Sequence, residues 1–143
     1  MSKNSVSVIV MAHATADIGT INYATALVAG HHTLTADEGA ALGGQDTGAA
    51  PHELLCAALA ACTAITLRMY AQRKGWPLEA AHVDVLFRIE GEQRTMTRRL
   101  RLEGELDEAQ RARLADIAER TPVTLTLKQG VAITTILEPT APA

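Results

Sequence analysis

Residues 43–66 read GGQDTGAAPHELLCAALAACTAIT, and this run limits the possible folds more than any other part of the chain. Gly43, Gly44 and Gly48 allow backbone conformations closed to other residues. Pro51 suits a first helical turn, where its missing N–H is not needed. No charged residue follows Glu53 until Arg68. The spacing predicts a helix from about Pro51 to Lys74. Arg68, Arg73 and Lys74 complement its C-terminal dipole, and Gly75 stops it. A helix that is apolar on every side must be covered on every side. One small domain supplies a sheet for one face, so the pattern predicts that a second copy of the chain covers another.

The flanking segments fill in an α+β order. Residues 5–12, 20–29 and 31–37 are rich in β-branched residues and predict three strands, broken at Gly19 and Gly30. Residues 38–50 form a loop. Residues 81–90 alternate, with Val83, Val85, Phe87 and Ile89 on one face, and 95–104 predict a second strand of the same hairpin around Gly91. Asp107 is a good N-cap for a helix over 108–120, and Thr121-Pro122 ends it. A short helix is expected in VTLTLKQG, a last strand over 131–137, and a frayed tail in EPTAPA.

With 143 residues the chain is expected to be one domain over 1–143. Aromatic residues are only 3% of it, so the core must be aliphatic. A net charge of −3 gives no general electrostatic case for binding nucleic acid. No run is expected to reach the roughly 18 apolar residues of a membrane helix, and no cleavable leader pattern is recognised at the N-terminus. The expected location is the cytoplasm, with no membrane partner and with both cysteines as thiols.

Those cysteines, Cys56 and Cys62, lie six residues apart. On one helix that is about 240° of rotation and ~9 Å of rise, too far for a disulfide, which needs Cα atoms within about 7 Å. Cys56 reads as a small core residue. Cys62 is either another packing thiol or a thiol delivered to a sheltered site, with His31, His32, His52, Glu53, Thr63 and Thr121 as candidate helpers. Glu53 equally suits the helix dipole. Adjacent strand residues point to opposite faces, so His31 and His32 make a poor metal pair, and neither metal nor cofactor is expected. His13 and His82 read as surface residues. Arg94, Arg98, Arg99 and Arg101 read as one solvated face of the hairpin. The glycine loop lacks the Gly-Lys-Ser/Thr ending of a phosphate loop.

Two stretches, ADEGAALGGQDTGAAPHELLCAALAACTAITLRMYAQRKGWPL and DEAQRARLADIAERTPV, resemble the OsmC/Ohr superfamily, and the resemblance extends over nearly the whole chain. It implies antiparallel sheets with a long buried central helix in an intertwined homodimer. It also implies a thiol peroxidase that reduces organic hydroperoxides, recycled by a lipoyl protein or small thiol. Cys62 falls on the peroxidatic cysteine. Thr121 falls on the resolving cysteine, and His52 falls on a glutamate beside which Glu53 stands. The family's arginine belongs in the N-terminal strands, and this chain has no arginine before Arg68. The resemblance therefore implies a one-cysteine route in which an external thiol attacks the Cys62 sulfenic acid, with an apolar hydroperoxide as substrate. The alternative is a ligand-binding or thiol-sensing protein on the same scaffold.

Overall fold

The structure is a computed structural model that describes residues 6–140. Its elements run β1 (Ala14–Asp17), β2 (Thr25–Ala29), β3 (His32–Ala36), α1 (Pro51–Lys74), β4 (Ala80–Glu90), β5 (Gln93–Glu103), α2 (Glu108–Ala118) and α3 (Pro122–Gln129). The chain is α+β. It divides into two compact units, one ending at Leu55 and the other beginning at Cys56, so the boundary falls inside α1.

In the first unit, β1, β2 and β3 form an antiparallel sheet in that order. Gly30 takes φ +63° in the two-residue turn between β2 and β3, a left-handed conformation that glycine adopts without strain. The loop after β3 makes one 3₁₀ turn at Ala40–Leu42 and returns to β3, where Asp37 N–H donates to the Ala49 carbonyl at 3.2 Å. Gly43 supplies a left-handed φ of +89°, whereas Gly44 and Gly48 are needed for closeness. A Cβ at Gly44 would collide with the Glu38 carbonyl, and one at Gly48 with the Thr35 carbonyl.

In the second unit, β4 and β5 pair antiparallel along their full length, from Ala80 opposite Glu103 to Glu90 opposite Gln93. The residues half-buried on one face of β5 are Met96, Arg98, Leu100 and Leu102. Leu67 and Ala71 of α1 pack with Leu78, Leu106 and Leu114, and Tyr70, Trp76 and Ile117 border this cluster. The core is aliphatic, as the low aromatic content requires. Asp107 caps α2 through a capping box with Gln110, its carboxylate accepting the Gln110 N–H at 2.7 Å. Thr121 precedes a proline and is therefore extended, at φ −66° and ψ 154°. Helix α2 stops at Ala118 with Glu119 as its C-cap, and Thr121 serves as N-cap of α3, with Pro122 in its first turn.

Three expectations need correction. Residues 131–137 form no strand; residues 131–140 have no regular secondary structure, and Ile133, Ile136 and Leu137 are 81–94% exposed. A strand needs a neighbour to take its hydrogen bonds, and a run of β-branched residues does not supply one. The first strand begins at Ala14, with 6–13 irregular; residue 5 and the last three residues of the tail lie outside the described residues. Finally, α1 is long and apolar enough to cross a membrane by length and composition, because its alanines count as apolar and it carries few charges. In the single chain α1 buries only a stripe at Leu59, Thr63, Leu67 and Ala71.

Candidate functional site

Four-residue spacing gives α1 two opposed faces. Leu59, Thr63, Leu67 and Ala71 are buried, whereas Ala57, Ala61, Ile65 and Met69 are exposed. Cys62 lies at the border between them, half-buried, three residues before exposed Ile65 and seven before exposed Met69. An open cleft of about 430 Å³ begins one turn beyond it, lined by Ala64, Ile65, Arg68, Met69, Gln72 and Ala81. Cys56 falls by the same spacing on the buried side and is half-buried. Both cysteines are free thiols.

Directly after Cys62, Thr63 is fully buried. Its hydroxyl donates to the Leu59 carbonyl at 2.7 Å and accepts from an Arg98 guanidinium nitrogen at 3.0 Å. That same nitrogen donates to the Thr124 hydroxyl at 2.9 Å. Thr124 is the centre of a directional chain. Its one hydroxyl proton goes to the Ala118 carbonyl at 3.2 Å. The Thr121 hydroxyl, 2.6 Å away, must therefore donate to it. The Thr121 oxygen in turn accepts the Thr124 N–H at 3.4 Å. The second terminal nitrogen of Arg98 reaches Glu119 at 3.5 Å, and Glu119 also binds Lys128 at 2.8 Å. Lys128 first and Arg98 second hold the Glu119 carboxyl below its ordinary range. Arg98 is the inner member, its side chain 11% exposed against 58% for Glu119.

Of the residues expected at the site, Cys62 and Thr121 belong to elements joined by this network, through Thr63 and Thr124. Thr121 is fully buried and hydrogen-bonded as an N-cap. Glu53 reaches back one turn, its carboxylate accepting the Ala50 N–H at 3.0 Å, which is a helix-start contact. His52 is exposed on the same turn. His31 and His32 stack on each other with ring centroids 4.1 Å apart. Among the described residues no group of three His, Cys, Asp or Glu side chains is placed to hold a metal ion.

Arg98 is the residue that sequence reasoning missed, and a signal was present. Two-residue periodicity places position 98 on the face of Met96, Leu100 and Leu102, not on that of Arg99 and Arg101. Reading four arginines as one strip hid that parity.

The opposite charge is buried in the first unit. Asp37 is 2% exposed at the end of β3. One of its oxygens accepts the N–H groups of Tyr23 and Glu38 at 3.1 and 2.7 Å. The other accepts the Thr47 hydroxyl at 2.6 Å and the N–H groups of Thr47 and Gln45 at 3.1 and 3.4 Å. The Thr47 hydroxyl, followed by the amides, holds this carboxyl well below the usual carboxylate range. Asp37 is thus the peg of the glycine-rich loop.

Comparison with curated proteins finds no match. Among solved structures, an OsmC-like protein of Mycoplasma pneumoniae is similar at a TM-score of 0.72 and 17% identity, over 85% of this chain and 89% of that one. An organic hydroperoxide resistance protein, OsmC, of Legionella pneumophila matches at 0.61 and 22%, over 85% and 92%. The organic hydroperoxide resistance protein OhrB of Bacillus subtilis matches at 0.53 and 23%, over 82% and 90%. At such identities these likenesses establish the fold. The family described as OsmC-like protein matches residues 44–136, the span from the glycine loop through Cys62 and Thr121. The chain belongs to the OsmC-like protein family.

Proposed function

We propose that this protein reduces organic hydroperoxides through Cys62, as a cytoplasmic homodimer that draws its electrons from an external thiol. The observation that carries this reading is the position of Cys62. It is a free, half-buried thiol, one turn before an open and mostly apolar cleft, on the helix that the family match spans. Relatives of the same fold are organic hydroperoxide resistance proteins. The cleft favours an alkyl or fatty tail, because burial of apolar surface is worth roughly 25 cal/mol per Å².

The chemistry balances as follows. The Cys62 thiolate attacks the outer peroxide oxygen, the O–O bond breaks, and the departing alkoxide takes a proton to leave as an alcohol. Sulfur, oxidised by two electrons, is left as sulfenic acid. By the family resemblance Thr121 falls on the resolving cysteine, and a hydroxyl cannot resolve a sulfenic acid, so the second step falls to a small thiol or a dihydrolipoyl group. Its sulfur displaces water from the sulfenic acid. A second thiol then reduces the mixed disulfide, returning Cys62 and releasing the external disulfide.

The dimer rests on apolar surface. Ile65 and Met69 are 54% and 58% exposed on a helix with apolar residues on both faces, and Val131, Ile133, Ile136 and Leu137 are 66–94% exposed. Soluble monomers seldom leave so many large apolar side chains open on a helix and a further segment. A second copy covering α1 would also close the cleft beside Cys62.

Cumene hydroperoxide consumption with dithiothreitol or a lipoyl carrier tests the activity. The wild type is expected to turn over and Cys62→Ser to be inactive. Equal low rates in both would leave the binding or sensing reading in its place. Sedimentation tests the assembly: a dimer is expected, weakened in Met69→Glu.

A further inference from the structure

We propose that Arg98 is the positioning residue of the Cys62 site, tying down the turn that carries the thiol and setting a surplus positive charge beneath it. This rests on the reading of Cys62 as the reactive thiol. The tie is the hydrogen bond to Thr63, the next residue in α1. Successive Cα atoms are about 3.8 Å apart, so the guanidinium stands within about 12 Å of the sulfur whatever rotamer Cys62 adopts.

The surplus follows from a count of charges. Arg98 and Lys128 share one carboxylate, Glu119, at 3.5 and 2.8 Å. Glu119 and Lys128 are 58% and 56% exposed, so water screens them, whereas the Arg98 side chain is 11% exposed. Among the described residues Glu119 is its one ion-pair partner. On α1 no charge stands between Glu53 and Arg68. Arg68 itself is occupied by the carbonyls of Leu78 and Glu79. The face of β4 opposite Arg98 presents Val83, Val85 and Phe87. An inward arginine among apolar strand residues is costly to bury. Its two threonine partners accept from one terminal nitrogen without cancelling its charge. What such a charge favours at the neighbouring position is an anion, and thiolate is the form in which cysteine attacks. Among the described residues of the second unit, Arg98 is the cation hydrogen-bonded to the residue after Cys62.

The test is the pH profile of Cys62 alkylation by iodoacetamide, followed by intact mass in a Cys56→Ser background. Arg98→Met is expected to react ~3- to 10-fold more slowly than its parent near pH 7, with the gap closing toward pH 9 and narrowing in high salt. Arg98→Lys, which keeps the charge, is expected to recover most of the rate. Superimposable profiles for Arg98→Met and its parent overturn the proposal. So does a slowing that is equal at every pH and not relieved by lysine. Should Arg98→Met fail to fold, Glu119→Gln serves instead: it removes the exposed carboxylate and is expected to speed alkylation near pH 7, and an unchanged rate counts against the proposal. Alkylation requires no peroxide. A wild type that is inactive toward hydroperoxide yet shows these shifts would sink the peroxidase reading and leave Arg98 in its role.

Discussion

Asp37 is a buried anion and Arg98 a cation with its side chain mostly out of water, and the two are held differently. Asp37 receives five hydrogen bonds, four of them from backbone N–H groups with few alternatives. Arg98 is held by two hydroxyls, each of which already has a carbonyl acceptor, and by a distant carboxylate. A buried charge that is fully matched is architecture, because its neighbours depend on it. A buried charge whose neighbours do not depend on it leaves an electric field over, and that field acts on whatever lies next to it. In this chain the residue just before its partner Thr63 is a cysteine.

The comparison breaks first if Asp37 proves dispensable. Asp37→Asn replaces an acceptor oxygen with an NH₂ group facing the Thr47 and Gln45 donors. The expected result is the largest loss among these variants: a melting temperature lower by ~10 °C or more, and fast hydrogen exchange at Tyr23, Glu38, Gln45 and Thr47. An unchanged exchange pattern would refute the peg. The same carboxyl gives a pH prediction with a definite sign. Its folded-state pKa is depressed, so its contribution is complete above the ordinary carboxylate value of about 4. It is lost as the pH falls below that value toward the folded-state one. Exchange at those four amides should therefore accelerate in acid before the β4–β5 hairpin loosens.

Thr121 gives the next effect in size. Thr121→Val removes the N-cap of α3 and the proton it donates to Thr124, at an expected cost of ~1–2 kcal/mol in urea unfolding. A cost near zero would mean that the threonine chain is incidental to the turn.

How far these two regions could be read from sequence differs for physical reasons. The course of α1 was legible because proline, an uncharged run and a glycine stop each act locally: the expected Pro51–Lys74 is the observed one. The hairpin was legible from alternation, and Thr121-Pro122 as a break from proline sterics. The Asp37 peg was not, because its donors come from four separate positions between Tyr23 and Thr47, and no period links them. Arg98 was readable by parity but was hidden by Arg94, Arg99 and Arg101 around it. The 131–137 segment, rich in β-branched residues, resembles a strand but forms none, since pairing depends on a neighbour and not on the segment itself. Glu53 was legible only as a pair of alternatives, and its bond to Ala50 supports the helix-start role.

The smallest expected effect is the sharpest test of the contrast. Arg98→Met deletes a side chain that is 89% buried by its 11% exposure, a change that ordinarily suggests severe damage. Yet each hydroxyl it leaves behind stays satisfied: Thr63 by the Leu59 carbonyl, Thr124 by the Ala118 carbonyl and the Thr121 hydroxyl. Methionine is comparable in length and suits a face already formed by Met96, Leu100 and Leu102. Exchanging a buried ion for an apolar side chain of similar size is often neutral or better, and the ion pair it forfeits has a partner that is mostly in water, worth ~0–1 kcal/mol. The variant should unfold in urea within ~1 kcal/mol of its parent while alkylating more slowly. A loss of ~3 kcal/mol or more would place Arg98 beside Asp37 as architecture, and the contrast between the two buried charges would fail.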